Sequence, residues 1–498
     1  MRISTPSDDH TSAQAVAADL ERQPHLFMRL AENALVVAEG LRDNYFKNTA
    51  AFVSHLRKAM LRPEPILRAF SVADATWSDV QGEVVTFIDG GVGQVQLSSR
   101  APILLRVGSY NVRTGERRLS EREAFGYYPI ILGDLEGGTK TRKDFIDVVR
   151  VTAELLGGLA ALERTPDLDV LMFHGPLVNL MDLYAGHAPF TESDIDLFLN
   201  QYGHDRQSAA ALKEGFLREA RLDIYPRMTE DSDLWADRRL FEPLAWMAFL
   251  YRRLLDIAKR RHPYLIIAGV VEKESLRQFS ERIVLARVFR GLREKGNVDY
   301  FNRMYGRSDL SSPEALLDRL GYSDALLLAL LLNPGQYSEP WQIDKIQRQT
   351  AGSILLPGDN RRSVVTWEPL HPPSPFGFPR VSGCYVHVSD VTEPIRVEVF
   401  SEFAPDQVDA AARRAYLYAK LLPGYGFPVG LDIADKYAHV PSWLTNAYGK
   451  LIRYHLSVSL QQGEISDAQM QRLLVQAMYV TNRDWLFRPK VGFNDERS

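Results

Sequence analysis

The fold is predicted from the stretch "VVTFIDGGVGQVQL", which runs from Val84 to Leu97. An apolar run ends in an aspartate and two glycines, and a second alternating stretch follows. This pattern predicts two short strands, Val84–Asp89 and Gly93–Leu97, with a glycine-bearing turn between them. Asp89 then has two interpretations. It is a turn residue, the usual role of aspartate before glycine, or it is the first ligand of a metal site at a strand end.

The segments downstream predict a sheet in which strands and helices alternate. A third strand is predicted at Pro102–Tyr110, and a helix in "RKDFIDVVRVTAELLGGLAALER". Short buried strands are predicted in "DVLMFHGPL" and "YLIIAGVVEKESLRQF", and a pair of strands in Gly383–Phe400. This order indicates an α/β fold with a mixed sheet whose first half is antiparallel. It resembles a ribonuclease H-like core with a helical N-terminal region and helical insertions.

Composition excludes several classes of protein. The 498 residues carry a net charge of -4 and are 45% hydrophobic, as in an ordinary soluble protein. One cysteine, Cys384, excludes an internal disulfide framework and a cysteine-rich zinc site, and it fits a reducing cytoplasm. The sequence contains no targeting segment, no apolar run long enough to span a bilayer and no GxxxxGK[ST] phosphate loop. We therefore expect a cytoplasmic protein that neither spans a membrane nor hydrolyses ATP.

Two further polar residues stand at places where a metal site would need them. Glu154 interrupts an apolar helix stripe, and His174 ends the strand "DVLMF" before a Gly-Pro turn. Hydrolysis of a phosphodiester with Mg²⁺ or Mn²⁺ needs several such side chains, from different elements, meeting at one point. Taken singly, a solvated helix glutamate and a polar strand end are the commoner interpretations. Only the combination with Asp89 favours a metal site.

The combination extends along most of the chain. The pieces "FIDGG", "VRVTAELL", "DVLMFHGPL", "IIAGVVEKES", "IRVEVF" and "GYGFPVGLDIADKYAHV" resemble the NurA nuclease family in order and spacing, from about Val84 to Val440. The resemblance implies a ribonuclease H-like core, DNA as substrate, a homodimer, and a HerA-like hexameric ATPase as partner. It also implies a role in DNA repair or in defence against foreign DNA. The predicted domains are an N-terminal helical region (1–80), the nuclease domain with a helical insertion at about 191–260 (81–455), and a C-terminal helix and tail (456–498).

The resemblance also implies a set of site residues. The first acid corresponds to Asp89, and a helix glutamate twenty residues before His174 corresponds to Glu154. Where the family has a third aspartate this chain has His174. Where the family has a histidine, eight residues after the tyrosine of a tyrosine-proline pair, this chain has Asp435. Where the family has the tyrosine of that pair, this chain has Phe427. The metal shell implied by the resemblance consists of Asp89, Glu154, His174 and Asp435.

These departures have two interpretations. If His174 and Asp435 face one metal, the ligand types have been exchanged, and three carboxylates with one imidazole favour Mn²⁺ over Mg²⁺. Alternatively the site has decayed, leaving a NurA-like subunit that binds DNA and scaffolds or activates the ATPase without cutting. His439, four residues after Asp435, is a further candidate imidazole on the same helix face.

Other charged residues are candidates for contacts with DNA. Lys273, after the strand "IIAGVVE", matches a family lysine that would suit the scissile phosphate, although a solvated strand end is an equal interpretation. Arg396 and Glu398 alternate on one strand face and could pair with each other or with the site, and a structural role is the prediction. Two basic clusters and nearby aromatics could contact phosphates and unpaired bases, or could simply be solvated: Arg113, Arg117, Arg118 and Arg122; Arg282, Arg287, Arg290, Arg293 and Lys295; Tyr300, Phe301 and Tyr305.

Overall fold

The structure, a computed structural model, divides the chain into two compact units. One unit contains residues 1–68 and 280–322, and the other contains residues 69–279 and 323–498. The residues that the structure describes are 21, 24–60, 65–95, 103–118, 123–132, 139–178, 195–196, 199–200, 206–219, 243–273, 276–343, 352–355, 364–367, 378–463 and 467–479.

Helices and strands are numbered here in chain order, over the described residues. The helices are α1 (Pro24–Gly40), α2 (Lys47–Met60), α3 (Thr139–Arg164), α4 (Arg206–Glu219), α5 (Pro243–Arg261), α6 (Ala286–Glu294), α7 (Tyr300–Tyr305), α8 (Pro313–Leu320), α9 (Asp324–Leu331), α10 (Ala404–Ala419), α11 (Val429–Ala438), α12 (Ser442–Gln461) and α13 (Ala468–Tyr479). The strands are β1 (Ala69–Ser71), β2 (Val84–Gln94), β3 (Ile103–Arg113), β4 (Glu123–Leu132), β5 (Val170–His174), β6 (Ile266–Val271), β7 (Gln336–Ser338), β8 (Trp341–Ile343), β9 (Gly352–Leu355), β10 (Val364–Trp367), β11 (Val381–His387) and β12 (Ile395–Phe400).

The smaller unit is helical and contains α1, α2, α6, α7 and α8. Phe52 and Phe301 are fully buried, with ring centroids 5.9 Å apart. Because Phe301 is buried, it is not available to stack on bases, and that interpretation of the sequence is wrong. The unit differs from the predicted N-terminal region, since 280–322 joins the first helices and 69–80 belongs to the larger unit.

The larger unit is built on a ten-stranded mixed sheet, so the predicted α/β class is confirmed. Its order is β1-β7-β11-β12-β6-β5-β2-β3-β4, with β8 also paired to β11. Strand β5 is parallel to both β2 and β6, whereas β2, β3 and β4 form an antiparallel meander. The carboxyl ends of β2, β5 and β6 therefore share one edge, the usual place for a site in an open α/β sheet.

The predicted turn at Asp89 is wrong, because β2 runs unbroken from Val84 to Gln94 and Asp89 pairs with Gly108 of β3. The glycines serve a close helix contact instead. A Cβ atom at Gly91 would overlap the backbone oxygen of Ala438, and one at Gly108 would overlap that of Ala434. Glycine in the strands thus lets α11 lie directly on the backbone of the sheet.

The two faces of the sheet are covered by different helices. On one face, buried residues of the central strands form a core with α10 and α11, including Phe87, Met172 and Leu431. On the other face, α3 packs through Gly157 on Val107 of β3. Alternation along β2 points Asp89 toward α11 and leaves Gly90 facing α3. None of the described helices is long and apolar enough to cross a membrane.

Candidate metal centre

Three of the predicted site residues converge. Asp89, His174 and Asp435 each offer a ligand atom, and these atoms all lie within 4.8 Å of one another. The sheet explains the first pair: Ile88 is opposite Phe173 in the parallel ladder, so the next residues, Asp89 and His174, lie side by side on adjacent strands. His174 Nδ1 lies 3.0 Å from Asp89 Oδ2. Asp435 comes from α11, which the glycine contacts hold against β2 and β3.

Glu154 lies beside this group but is engaged elsewhere. Its carboxylate forms an ion pair and hydrogen bond with Arg150, one turn earlier on α3. A Cβ atom on Gly90 would meet the Glu154 side chain, so the glycine at this position lets the carboxylate approach the strand. Sequence reasoning did not identify Arg150. The signal was available, because residues four apart on a helix are neighbours and an arginine before a glutamate at that spacing forms an ion pair.

The four predicted metal-shell residues line one cavity of about 290 Å³. Its walls come from β2, β5, α3, α5, α11 and the turn after β5. The lining residues are Asp89, Gly90, Arg150, Val151, Glu154, Leu155, Phe173, His174, Gly175, Pro176, Leu177, Tyr251 and Asp435. The cavity therefore combines a cluster of acids with apolar and aromatic walls.

The electrostatics of the cavity show crowded negative charge. Burial raises the pKa of Glu154 to about 7, with a further increase from Asp89 and an opposing effect of Arg150. Loss of surrounding water and then the charge of Asp89 raise the pKa of Asp435. Burial lowers the pKa of His174, but its hydrogen bond to Asp89 and the nearby carboxylates outweigh this, and the pKa is raised. All three shifts favour protonated forms, so a bound cation would relieve the repulsion.

The donor set fits a divalent transition-metal ion. Ligand atoms that share one such ion, at about 2.1 Å from it, lie within roughly 4.2 Å of one another, which the group of Asp89, His174 and Asp435 nearly satisfies. Carboxylates suit both Mg²⁺ and Mn²⁺, whereas an imidazole ligand moves the preference toward Mn²⁺. The residues present therefore fit manganese.

Comparison with known families decides the assignment of the chain. The NurA domain matches residues 83–440, which is most of the sequence. The chain belongs to the NurA domain family. The match includes β2, α3, β5 and α11, the elements that carry Asp89, Glu154, His174 and Asp435. The whole candidate centre thus lies inside the NurA domain.

Solved structures similar to this NurA-domain chain are distant. One is the NurA nuclease from Sulfolobus solfataricus, with 11% identity, 85% of this chain and 97% of that chain covered, and a TM-score of 0.43. Another is NurA with manganese, with 12% identity, 83% of this chain and 93% of that chain covered, and a TM-score of 0.33. A third is NurA bound to dAMP and manganese, with 12% identity, 84% of this chain and 92% of that chain covered, and a TM-score of 0.30. None of the curated proteins matches the chain. The family assignment rests on the match to the NurA domain.

The residue that stands for the family's tyrosine packs against the centre of this NurA domain. Phe427 is buried, and its ring centroid lies 5.1 Å from that of His174. It carries no hydroxyl, so it places an apolar ring against His174 where the resemblance implies a phenol. The two departures at Phe427 and His174 therefore lie in contact with each other.

Two predicted residues do not join the centre. His439 is the C-cap of α11, and its backbone N–H donates to the backbone oxygen of Asp435, but among the described residues it is neither in the group of three ligands nor in the lining of the cavity. Its backbone oxygen accepts a hydrogen bond from Arg106. Lys273 is exposed two residues after β6 and is not among the residues lining the cavity.

The predicted pair of Arg396 and Glu398 is present and supports the turn that follows His174. Both residues are buried, and Arg396 Nε donates to Glu398 Oε1 at 2.8 Å. The other oxygen, Glu398 Oε2, accepts from the backbone N–H of Leu177 at 2.9 Å. Because Leu177 lines the cavity, the ion pair fixes one wall of the site. Sequence reasoning found the pair but not this contact, which joins residues 221 apart.

Proposed function

We propose that the chain is a metal-dependent deoxyribonuclease of NurA type that uses Mn²⁺. The observation that carries this proposal is the meeting of Asp89, His174 and Asp435, from three different elements, in one cavity of a NurA domain. Glu154 belongs to the proposed site as its third acid and fourth residue. Such a group matches what hydrolysis of a phosphodiester requires, since one point must hold a divalent ion close to the bond that breaks.

The position of each residue at the cavity indicates its role in the proposed hydrolysis. When bound, the ion supplies Lewis acidity that activates water and stabilises the leaving oxygen. Asp89, His174 and Asp435 would hold it, and Phe427 fixes the ring of His174 by packing. Glu154, with a pKa of about 7, is suited to take up a proton at its carboxylate near neutral pH. Leu155 and Phe173 contribute apolar walls beside these polar groups.

We further propose that the central part of the sheet is a ribonuclease H-like core. The support is the strand order β4-β3-β2-β5-β6, in which an antiparallel meander is followed by a helix and then by strands parallel to the first. The sequence predicted the same succession of three strands, a helix and a strand, although it divided β2 into two strands and did not include β4. In it, Asp89 on the first strand lies beside His174 on the fourth.

Cleavage of labelled DNA tests the proposed activity. Purified protein with Mn²⁺ and a 5′-labelled linear duplex should release labelled products, and EDTA should stop the reaction. Asp89→Asn should reduce the rate by at least about a hundredfold, because it removes a charged oxygen ligand. Asp390→Asn, an exposed acid away from the cavity, is the matched control and should cleave like the parent. Equal rates for Asp89→Asn and the parent would rule out this site.

The alternative is a NurA-like subunit that binds DNA and scaffolds or activates its partner without cleaving. One observation favours it: Glu154 is paired with Arg150 rather than grouped with the three other ligands. This alternative predicts no cleavage with Mn²⁺ or Mg²⁺, with or without the partner, together with faster ATP hydrolysis by the partner. Any EDTA-sensitive cleavage that Asp89→Asn abolishes would exclude it.

Homodimer formation is part of the proposal. Helix α1 exposes a series of large apolar side chains, with Leu26, Leu30, Leu35, Val36 and Val37 each 49–68% accessible. A patch of this kind favours a protein interface. Light scattering should give a mass twice the chain mass of 56.4 kDa. The double variant Leu30→Glu with Val36→Glu should have the mass of a single chain. A monomeric parent would exclude the homodimer.

The partner and setting follow from the family resemblance. We propose a HerA-like hexameric ATPase as partner and DNA in the cytoplasm as substrate, in repair or in defence against foreign DNA. Arg282, Arg290, Arg293 and Lys295 are exposed, which suits phosphate contacts, and Arg113 forms an ion pair with Asp167. Arg122 lies outside the described residues. Co-purification with a HerA-like hexamer, and stimulation of its ATP hydrolysis, would test the partnership.

A further inference from the structure

Arg150 lies in the cavity but has no role among those proposed above for the metal ligands and Glu154. It lines the same cavity as Asp89, His174 and Asp435, and 25% of its side chain is accessible, compared with 8% for Glu154. Among the described residues that line the cavity, it is the only lysine or arginine. A permanently positive group therefore faces the space in which a substrate would sit beside the metal ligands.

The hydrogen bonds of Arg150 leave it able to bind an anion. A guanidinium has five N–H donors in a planar fork, and Nη1 donates to Glu154 Oε1. The charge of Glu154 raises the pKa of Arg150 against the opposing effect of burial, and Asp147 and Asp89 add to the increase, so the group stays charged in this cavity. The other donors of the fork suit the oxygens of a phosphate.

The charge of the cavity also favours this role. Its lining holds three carboxylates, and a phosphodiester would be repelled unless positive charge balanced them. A divalent ion offsets two negative charges, and Arg150 offsets a third. Lys273, which the sequence proposed for the phosphate, is exposed and outside the lining.

We propose that Arg150 is the phosphate-binding residue of the cavity and that it contacts the phosphate of the nucleotide held at the metal. This inference rests on the proposed function for its substrate class. A competing explanation is that Arg150 only neutralises Glu154. If Arg150 contacts the phosphate, its loss weakens phosphate binding whether residue 154 is glutamate or neutral glutamine. If Arg150 only neutralises Glu154, its loss leaves phosphate binding unchanged once residue 154 is neutral.

The probe is thymidine 5′-monophosphate, titrated by calorimetry into protein saturated with Mn²⁺, so that binding is measured without cleavage. Arg150→Gln should weaken its affinity by about tenfold to a hundredfold, the effect of losing a charge-assisted hydrogen bond. Arg150→Lys should keep part of the affinity, since it retains the charge but not the fork. Arg164→Gln, an exposed arginine at the end of the same helix, is the matched control and should bind like the parent. The affinity for Mn²⁺ alone should change much less than the affinity for the nucleotide.

A double-variant cycle separates the two explanations. Nucleotide affinity is compared for Glu154→Gln and for Arg150→Gln with Glu154→Gln, each at saturating Mn²⁺. A further loss of tenfold or more in the double variant supports direct phosphate contact. Equal affinities, a parallel loss of Mn²⁺ affinity, or no nucleotide binding by the parent at millimolar concentration would overturn the proposal. If the parent binds the nucleotide through Arg150 but cleaves no DNA, the nuclease activity fails and the phosphate site stands.

Discussion

The resemblance to the NurA family implies that two residues of the centre have exchanged chemical type, with His174 in place of an aspartate and Asp435 in place of a histidine. Both are grouped with Asp89, and His174 lies within hydrogen-bonding distance of it. The exchange leaves one imidazole and two carboxylates in the group. It therefore favours a rearranged centre over a decayed one. The single imidazole that favours Mn²⁺ is at position 174 here instead of position 435, so the preference for Mn²⁺ is kept.

At the same scale, Glu154 predicts a pH dependence of stability in the metal-free protein. Its pKa rises from an ordinary value of 4.5 to about 7 on folding, because burial disfavours the charged form. The folded state is therefore favoured fully below pH 4.5 and loses stability as the pH rises through about 7. Glu154→Gln, which stays neutral, should become increasingly more stable than the parent across this window.

Urea unfolding in EDTA between pH 4.5 and 8 measures this difference. Glu163→Gln, an exposed glutamate on the same helix, is the control and should show no such trend. A difference between Glu154→Gln and the parent that stays constant over the range would contradict the assigned pKa shift.

At the scale of elements, the centre depends on how closely α11 approaches β2 and β3. Apolar alternation predicted the strands, and "DGG" was interpreted as a turn because glycine after aspartate is common there. The same glycines instead leave room for a helix more than 300 residues further along the chain, which no local pattern can reveal. Strand β4 was missed for a related reason: Gly126 and Pro129 interrupt a strand pattern, yet a strand at the edge of the sheet tolerates them.

Gly91→Ala tests the close approach of α11. Its Cβ atom would overlap the backbone oxygen of Ala438, and backbone cannot move aside as a flexible side chain can. We expect a loss of about 1–3 kcal/mol in the free energy of unfolding and a weaker Mn²⁺ affinity, since α11 carries Asp435. Gly424→Ala is the control, because nothing lies within 4 Å of its added Cβ atom. Unfolding in urea and calorimetric titration of Mn²⁺ give the two quantities, and an Mn²⁺ affinity like that of the parent would count against the packing argument.

The buried ion pair gives a second prediction about elements. Glu398→Ala leaves Arg396 charged in the core and removes the acceptor for the Leu177 N–H. We expect a loss of about 3–5 kcal/mol in the free energy of unfolding, the usual cost of removing one partner of a buried pair. Glu398→Gln keeps an oxygen for Leu177 and should lose less. Equal losses for the two variants would show that the backbone contact contributes nothing measurable.

At the scale of the whole molecule, the proposed ligands come from residues 89, 174 and 435, so a bound ion would join distant parts of the larger unit. A ligand that binds only the folded state raises its stability, by about 2.7 kcal/mol at a concentration one hundred times Kd. Mn²⁺ should therefore raise the Tm of the parent, whereas Asp435→Asn should show little or no increase. Asp390→Asn should respond like the parent. A similar shift in Asp435→Asn would place the bound ion elsewhere.

The three grouped ligands lie far apart in the sequence, so they are synthesised at different times. A ribosome produces Asp89 and His174 early and adds Asp435 only after most of the chain has been made. A nascent chain, or a fragment that stops before α11, therefore holds two of the three grouped ligands and lacks the helix that covers the strand glycines. If the proposed activity is correct, an unfinished copy of the protein is harmless to DNA, and the ability to cut arises only when the last part of the NurA domain has folded into place.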